Sequence, residues 1–168
     1  LVEDGVAGTG LAFADSSALF DNPFRVRFSS KSVGVTFSGA VNFGANNLDV
    51  ITDRAIGVST GANLTTTSGN ISLTATGTVA GPIIGVDVMG AVRSDTGAVS
   101  ITGKGGDGPG AVARYGVRVS GGGTVGTTGG TGTVSVTGTG GVGNNTGNYG
   151  VFVDGAAAAI TSGGGTVN

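Results

Sequence analysis

Charged and nucleophilic side chains are the residues that could do chemistry, and this chain carries few of them. Its 168 residues include 8 Lys and Arg, 10 Asp and Glu, and no His or Cys. The chain itself therefore offers no imidazole base and no Cys/His metal site. A net charge of −2 gives no basic surface for nucleic acid or anionic lipid. Carboxylates, hydroxyl groups and glycine-rich loops remain as candidates.

Asp87 is the carboxylate best placed for acid–base work, because Arg118 occupies the matching position in the next repeat. Asp49 and Asp53 are expected on neighbouring sheets or corners. Cleavage of a polysaccharide needs two carboxylates at a suitable separation. We expect these acids to pair with bases instead, and therefore to be structural.

Three other motifs fail on their chemistry, so we expect neither a metal nor a cofactor. The segment 105–108 (Gly-Gly-Asp-Gly) resembles a calcium loop, but its single carboxylate cannot supply the 6–8 oxygen ligands of calcium. The segment 121–124 (Gly-Gly-Gly-Thr) lacks the Gly-Lys-Ser/Thr of a phosphate loop. The Thr-x-Thr pairs, such as Thr137 and Thr139, are too irregularly spaced for a flat ice-binding array.

Three short alternating segments recur in fixed order, and they are the elements that would position these residues. One copy reads Gly-Val-Asp-Val (85–88), Ala-Val-Arg (91–93) and Ala-Val-Ser-Ile-Thr (98–102). Alternation of apolar and polar residues predicts strands with one buried face. The 37 glycines argue against helices, since each costs about 1 kcal/mol in a helix interior.

The repeat predicts an all-β, right-handed parallel β-helix with three strands per coil and about six coils. An antiparallel sandwich is the alternative, but the chain lacks two-residue hairpin turns. The step between copies lengthens along the chain, mainly after the third segment, where we expect a surface loop. The predicted column of inward first-strand residues is Phe13, Val35, Val58, Val86, Val117 and Val151.

Outward charges provide an independent test of the stacking, because like charges on adjacent strands repel. In the predicted register every charged neighbour within a column has the opposite sign. The pairs are Arg27 with Asp49, Lys31 with Asp53, and Asp87 with Arg118. A second predicted column runs along one edge and comprises Ile56, Ile84, Tyr115 and Tyr149.

The composition changes once along the chain. Six of the 7 Phe lie at or before Phe43. We therefore predict a Phe-rich N-terminal set of coils, or a cap, over residues 1–54. Residues 55–168 form the Gly-rich coils, and the last of these is cut at Asn168.

Several segments resemble the repeats of filamentous-haemagglutinin-like proteins. These are 69–77 (Gly-Asn-Ile-Ser-Leu-Thr-Ala-Thr-Gly), 132–141 and 148–155, and the likeness extends over about 33–168. Such repeats occur in two-partner-secretion adhesins and autotransporter-like surface proteins of bacteria. The resemblance implies an exported β-helix at the bacterial cell surface, and it carries no catalytic residue onto this chain.

The expected function is a structural or adhesive extracellular rod segment without enzymatic activity. A self-assembling filament or matrix subunit is the alternative, and a polysaccharide-active enzyme is a weaker one. Expected partners are further coils of the same chain, copies of itself end to end, or glycans of a host or neighbouring cell. We expect no membrane insertion, because the longest apolar runs, such as 156–160, are too short to span a bilayer.

Overall fold

The chain winds into six coils of short parallel strands. The computed structural model describes residues 34–77, 81, 83–109, 113–144 and 147–168, and the backbone of 11–13, 16–19 and 24–27. The strands of the first three coils are β1 (Leu11–Phe13), β2 (Ser16–Leu19), β3 (Phe24–Arg27), β4 (Val35–Phe37), β5 (Ala40–Asn42), β6 (Leu48–Thr52), β7 (Ile56–Val58), β8 (Asn63–Thr66) and β9 (Ile71–Ala75). Those of the last three are β10 (Val86–Val88), β11 (Ala91–Ser94), β12 (Val99–Lys104), β13 (Val117–Val119), β14 (Thr124–Thr127), β15 (Val134–Thr139), β16 (Val151–Val153) and β17 (Ala159–Thr161).

Each coil contributes one strand to each of three sheets. The first sheet has the order β1-β4-β7-β10-β13-β16, and the second runs β2-β5-β8-β11-β14-β17. The third has the order β3-β6-β9-β12-β15, and a single bridge from Val134 to Val167 continues it. The pairings between coils are parallel, as in β10 with β13 and β12 with β15. The predicted parallel β-helix with three strands per coil is confirmed.

Alternation along each strand places the apolar residues inside. Val86 and Val88 are fully buried, whereas Asp87 between them faces outward. In the interior the side chains of one coil pack on those of the next, as in the column Leu64, Val92 and Val125. These contacts between coils are the hydrophobic core.

The predicted first-strand column was wrong at Phe13 and Val58. Phe13 pairs with Phe37, and Val58 lies between Phe37 and Val88. The true column is Leu11, Val35, Ile56, Val86, Val117 and Val151. A shift of two residues keeps the same face inward, and this register buries both Ile56 and Val58 instead of Val58 and Thr60. The Gly-Val pairs at 57–58 and 85–86, which look equivalent in the sequence, are not aligned.

The first corner is a tight turn in the third, fifth and sixth coils. The amide of Ala62 donates to the carbonyl of Ser59, and the amide of Gly123 donates to that of Ser120. Gly61, with φ of 80°, has the left-handed conformation that other residues rarely adopt. The turn therefore requires glycine at this position.

The second corner is closed from within by a column of hydroxyl groups. Thr66 donates to the carbonyl of Gly69 at 2.6 Å, and Ser94 donates to the same carbonyl at 3.0 Å. Ser162 accepts from the amide of Gly165 at 2.8 Å. These buried hydroxyls satisfy backbone groups that the turn leaves unpaired.

Glycine at the second corner allows close stacking of the backbone. A Cβ placed on Gly97 would lie 2.2 Å from the carbonyl oxygen of Gly69, and one on Gly132 would lie 2.3 Å from that of Gly97. Backbone cannot yield at these distances without shifting a whole coil. The column of glycines is thus a packing requirement.

The predicted division near residue 54 stays a prediction. All three sheets continue across it, since β4 pairs with β7, β5 with β8 and β6 with β9. Phe37 and Phe43 fill the interior there and are fully buried.

The corrected register can be tested by cross-linking. Thr36 and Gly57 are direct partners, at a strand spacing of about 4.8 Å that suits a disulfide. The chain has no Cys of its own. We expect the Thr36→Cys/Gly57→Cys variant to lose its free thiols on mild oxidation. The Thr36→Cys/Ser59→Cys variant, whose Cα atoms lie about 8 Å apart, should keep them, and preferential cross-linking of that pair would restore the sequence-based register.

Substitution of alanine for Gly97 and for Gly57 should have opposite effects on stability. Gly97→Ala should lower the free energy of unfolding by about 1–3 kcal/mol, because its new methyl group meets backbone. Gly57→Ala is the matched control, since a Cβ there meets only the Thr36 side chain at 3.7 Å, and it should be neutral or stabilising by about 0.4–1 kcal/mol. Urea denaturation of both variants measures the difference. Equal effects would show that the glycine column is not a close-packed contact.

Candidate functional site

The outward face of the first sheet brings Asp87 and Arg118 together, as predicted. They are direct register partners on β10 and β13. Arg118 Nε donates to Asp87 Oδ1 at 2.8 Å, and Nη2 donates to Oδ2 at 2.6 Å. The hydrogen bond with Asp87 raises the pKa of Arg118 above its ordinary value, against the opposing effect of partial burial. Both carboxylate oxygens of Asp87 are thereby engaged by the guanidinium.

The pairing of Arg27 with Asp49 was wrong. The register between β3 and β6 places Arg25 opposite Asp49 and Arg27 opposite Ile51. The cause is the two-residue shift that also displaced Phe13, because Phe24 and not Val26 is the partner of Leu48. Farther along the outward face of the third sheet, Asp49 is followed by Ser72, Ser100 and Ser135.

The pair of Lys31 with Asp53 cannot be placed, because Lys31 lies outside the described residues. Asp53 itself is half-buried in the corner after β6. Its Oδ1 is buried and has no hydrogen-bond partner within the described part of the chain. This pair therefore remains a prediction.

Three aromatic rings stack beside the Asp87–Arg118 ion pair. The ring centroids of Tyr115 and Phe152 are 4.7 Å apart, with an angle of 5° between the ring planes. Tyr149 lies parallel to both, at 6.1 Å from Tyr115 and 5.6 Å from Phe152. Phe152 is also the register partner of Arg118. We call Tyr115, Tyr149 and Phe152 the ring stack.

The predicted edge column of Ile56, Ile84, Tyr115 and Tyr149 was correct for the two tyrosines, which stack, and wrong for Ile56. Ile56 is fully buried in β7. The backbone bonds align Ala55 with Gly85 and Gly116, so Arg54 is the residue equivalent to Ile84. Analysis of the sequence placed Phe152 next to Arg118 in the outward first-strand column, as observed, but did not connect it with the two tyrosines.

A hollow of about 320 Å³ lies on the other side of Asp87. It forms where Gly57 occupies the outward position between Thr36 and Asp87. Its walls are formed mainly by Ala55, Ile83 and Ile84, and its polar groups are Thr36 and Asp87. The hollow, the ion pair and the ring stack follow one another along the same sheet.

A second groove of about 320 Å³ crosses the first corner, and Thr60, Asn63, Met89 and Arg93 are among its lining residues. Arg93 is exposed and its Nε donates to Thr124 Oγ1 at 3.2 Å. This groove belongs to the second sheet and shares no lining residue with the hollow.

The predicted calcium-like corner holds a cation of the chain itself. Lys104 Nζ lies 2.6 Å from Asp107 Oδ2, and the amide of Val142 donates to Asp107 Oδ1 at 2.8 Å. Among the described residues no three acidic, His or Cys side chains gather as a metal site would require. Asp107 therefore joins two successive corner loops.

Arg114 anchors the same loops from inside, and analysis of the sequence gave no sign of it. It is fully buried, and it donates from Nε to the carbonyl of Gly81 at 3.2 Å and from Nη2 to that of Pro109 at 2.9 Å. A Cβ on Gly143 would lie only 2.1 Å from its Nη1. Val142, in one of these loops, is exposed.

A double-mutant cycle measures the Asp87–Arg118 interaction. We expect Asp87→Asn and Arg118→Gln each to reduce the free energy of unfolding, and the double variant to lose less than the sum. A coupling energy of about 1 kcal/mol is expected, because the pair is joined by two hydrogen bonds and is partly exposed. Strictly additive losses in urea denaturation would mean that the two side chains do not interact in solution.

The corner formed by Asp107 predicts a pH dependence. The hydrogen bond from Lys104, followed by that from the Val142 amide, lowers the pKa of Asp107 below 3.8. A lowered pKa means that the contact is intact above the unfolded value of about 3.9 and is lost as the pH falls through the folded value. The NMR shift of the Val142 amide should therefore titrate with a midpoint below 3.8. Asp107→Asn should abolish this titration, and a midpoint at or above the ordinary value would contradict the assignment.

Comparison of the chain with protein-family models, curated proteins and solved structures found no match. Among the described residues there is no helix that is long and apolar enough to span a membrane.

Proposed function

We propose that this chain is a structural and adhesive segment of an extracellular rod on a bacterial surface. The observation that carries the proposal is the continuous stacking of coils along one axis. A solenoid of this kind is a spacer whose length grows with each coil and whose outer columns form extended binding surfaces. The likeness of segments such as 69–77 to filamentous-haemagglutinin-like repeats supports the same role.

A non-enzymatic role is supported by the state of Asp87. Acid–base cleavage of a glycosidic bond needs a pair of carboxylates that are free to exchange protons. Both oxygens of Asp87 are bonded to Arg118, and its other direct strand partner is Gly57. The outward neighbours on this sheet are thus a cation and a residue without a side chain.

Self-assembly into filaments is a second candidate function. Each described coil is joined to the next by parallel strand pairing and by stacked apolar side chains. Copies joined end to end in the same way would pair strand edges and cover apolar groups.

Location at the surface can be tested by treating intact cells of the source organism with a protease that does not enter them. We expect the chain to be cut in intact cells, while a cytoplasmic protein in the same sample stays whole. Loss of the chain only after lysis would overturn the extracellular role.

Electron microscopy separates the two candidates, and an activity assay tests the third. Isolated rods in negative stain support the adhesive segment, whereas long filaments of one repeating chain support self-assembly. We expect no cleavage on a panel of polysaccharides. Cleavage that is lost in Asp87→Ala would make the chain an enzyme.

A further inference from the structure

We infer that the outward face of the first sheet binds an extended neutral oligosaccharide. The inference rests on the proposed adhesive function and assigns it a site and a class of ligand. The site runs across successive coils through Thr36, Gly57, Asp87, Arg118 and Phe152. We call this row the binding face.

The ring stack supplies the apolar end of the binding face. Tyr149 is 50% exposed, and Tyr115 and Phe152 are half-buried. The stacking fixes the three rings within 9° of one another. One face of a pyranose ring carries several C–H groups, which pack on the negatively charged face of an aromatic ring. Rings that are already parallel lose little conformational entropy when a sugar binds.

The ion pair supplies fixed polar groups at the centre. The side chains of Arg118 and Asp87 are 29% and 18% exposed, so both remain accessible to a ligand. Their two mutual hydrogen bonds hold the guanidinium and the carboxylate in one geometry. Sugar hydroxyl groups both donate and accept hydrogen bonds, and a pre-oriented donor and acceptor pair suits them.

The hollow at Gly57 provides the concave part of the binding face. Its walls are mainly apolar and it has two polar groups, Thr36 and Asp87. Small-molecule sites commonly combine concave apolar walls with a few oriented polar groups. A side chain at position 57 would fill this space, because a Cβ there meets nothing closer than 3.7 Å.

Length and charge select the ligand. The five positions extend over about 19 Å at a spacing of about 4.8 Å per coil. The spacing per coil is close to the length of one sugar residue in an extended chain. The charges of Asp87 and Arg118 cancel, because the two side chains form an ion pair. A neutral glycan therefore fits better than an acidic one, which would need an unpaired cation.

The chain carries its own reporter for this site. It has 2 Tyr and no Trp, and both tyrosines belong to the ring stack. Binding can be followed by tyrosine fluorescence and by calorimetry with the 168-residue chain. The probes are the neutral hexasaccharides of cellulose, mannan, xylan and laminarin, with hexagalacturonate as the acidic counterpart.

We expect at least one neutral hexasaccharide to bind and to change the tyrosine emission. Gly57→Thr, which fills the hollow, and Tyr149→Ser, which removes a ring, should each weaken binding by about tenfold or more. Tyr149→Phe should keep it, because the ring remains. Arg93→Ala, which alters the second groove, is the matched control and should bind as the parent chain does. Circular dichroism of each variant checks that it is folded.

Three results would overturn the inference. These are no binding of any neutral probe, binding of the acidic probe alone, and binding that folded Gly57→Thr and Tyr149→Ser leave unchanged. None of these results would contradict the proposed extracellular role if protease still cuts the chain in intact cells. Cleavage of a probe would instead contradict the non-enzymatic proposal, so the two failures can be told apart.

Discussion

The structure depends on one constraint, which is that each coil must lie directly on the next at the spacing of a parallel sheet. The backbone bonds between strands cross from one coil to its neighbour, and the apolar side chains of the interior stack in the same direction. A residue is therefore acceptable only if it fits between the same positions of two adjacent coils. Ile56 meets this condition between Val35 and Val86. Gly97 meets it because any larger residue would separate its coil from the one that carries Gly69.

The same constraint builds the surface. The register fixes the neighbours of each outward side chain, because it sets successive positions of a column about 4.8 Å apart. Arg118 lies between Asp87 and Phe152 for this reason alone. The result is an ion pair, a ring stack and a hollow in one row, built from residues of successive coils such as Asp87, Arg118 and Phe152, which no local motif could bring together.

The longer a corner is, the less closely its residues must match those of the adjacent coil. The first corner is a turn of fixed hydrogen bonding, and the second is closed by buried hydroxyls such as Thr66 and Ser94. The third corner is long, and its loops differ in sequence from coil to coil. Asp107 and Arg114 nevertheless join these loops through hydrogen bonds to the backbone of other loops. Loop length can thus vary from coil to coil while the sheets remain continuous.

The sequence by itself determined the architecture, the strands from Val35 onward apart from the placement of β7, and the pairing of Asp87 with Arg118. Apolar alternation repeats in every coil, and that pattern reports directly which face is buried. It did not determine the register where two adjacent placements bury a similar face, so Phe13, Val58 and Arg27 were misplaced by two residues. Only the tertiary structure decided those positions, because the choice depends on the sum of contacts with both neighbouring coils. It also decided the burial of Arg114 and the stacking of Phe152 on Tyr115, because both depend on contacts between residues of different coils.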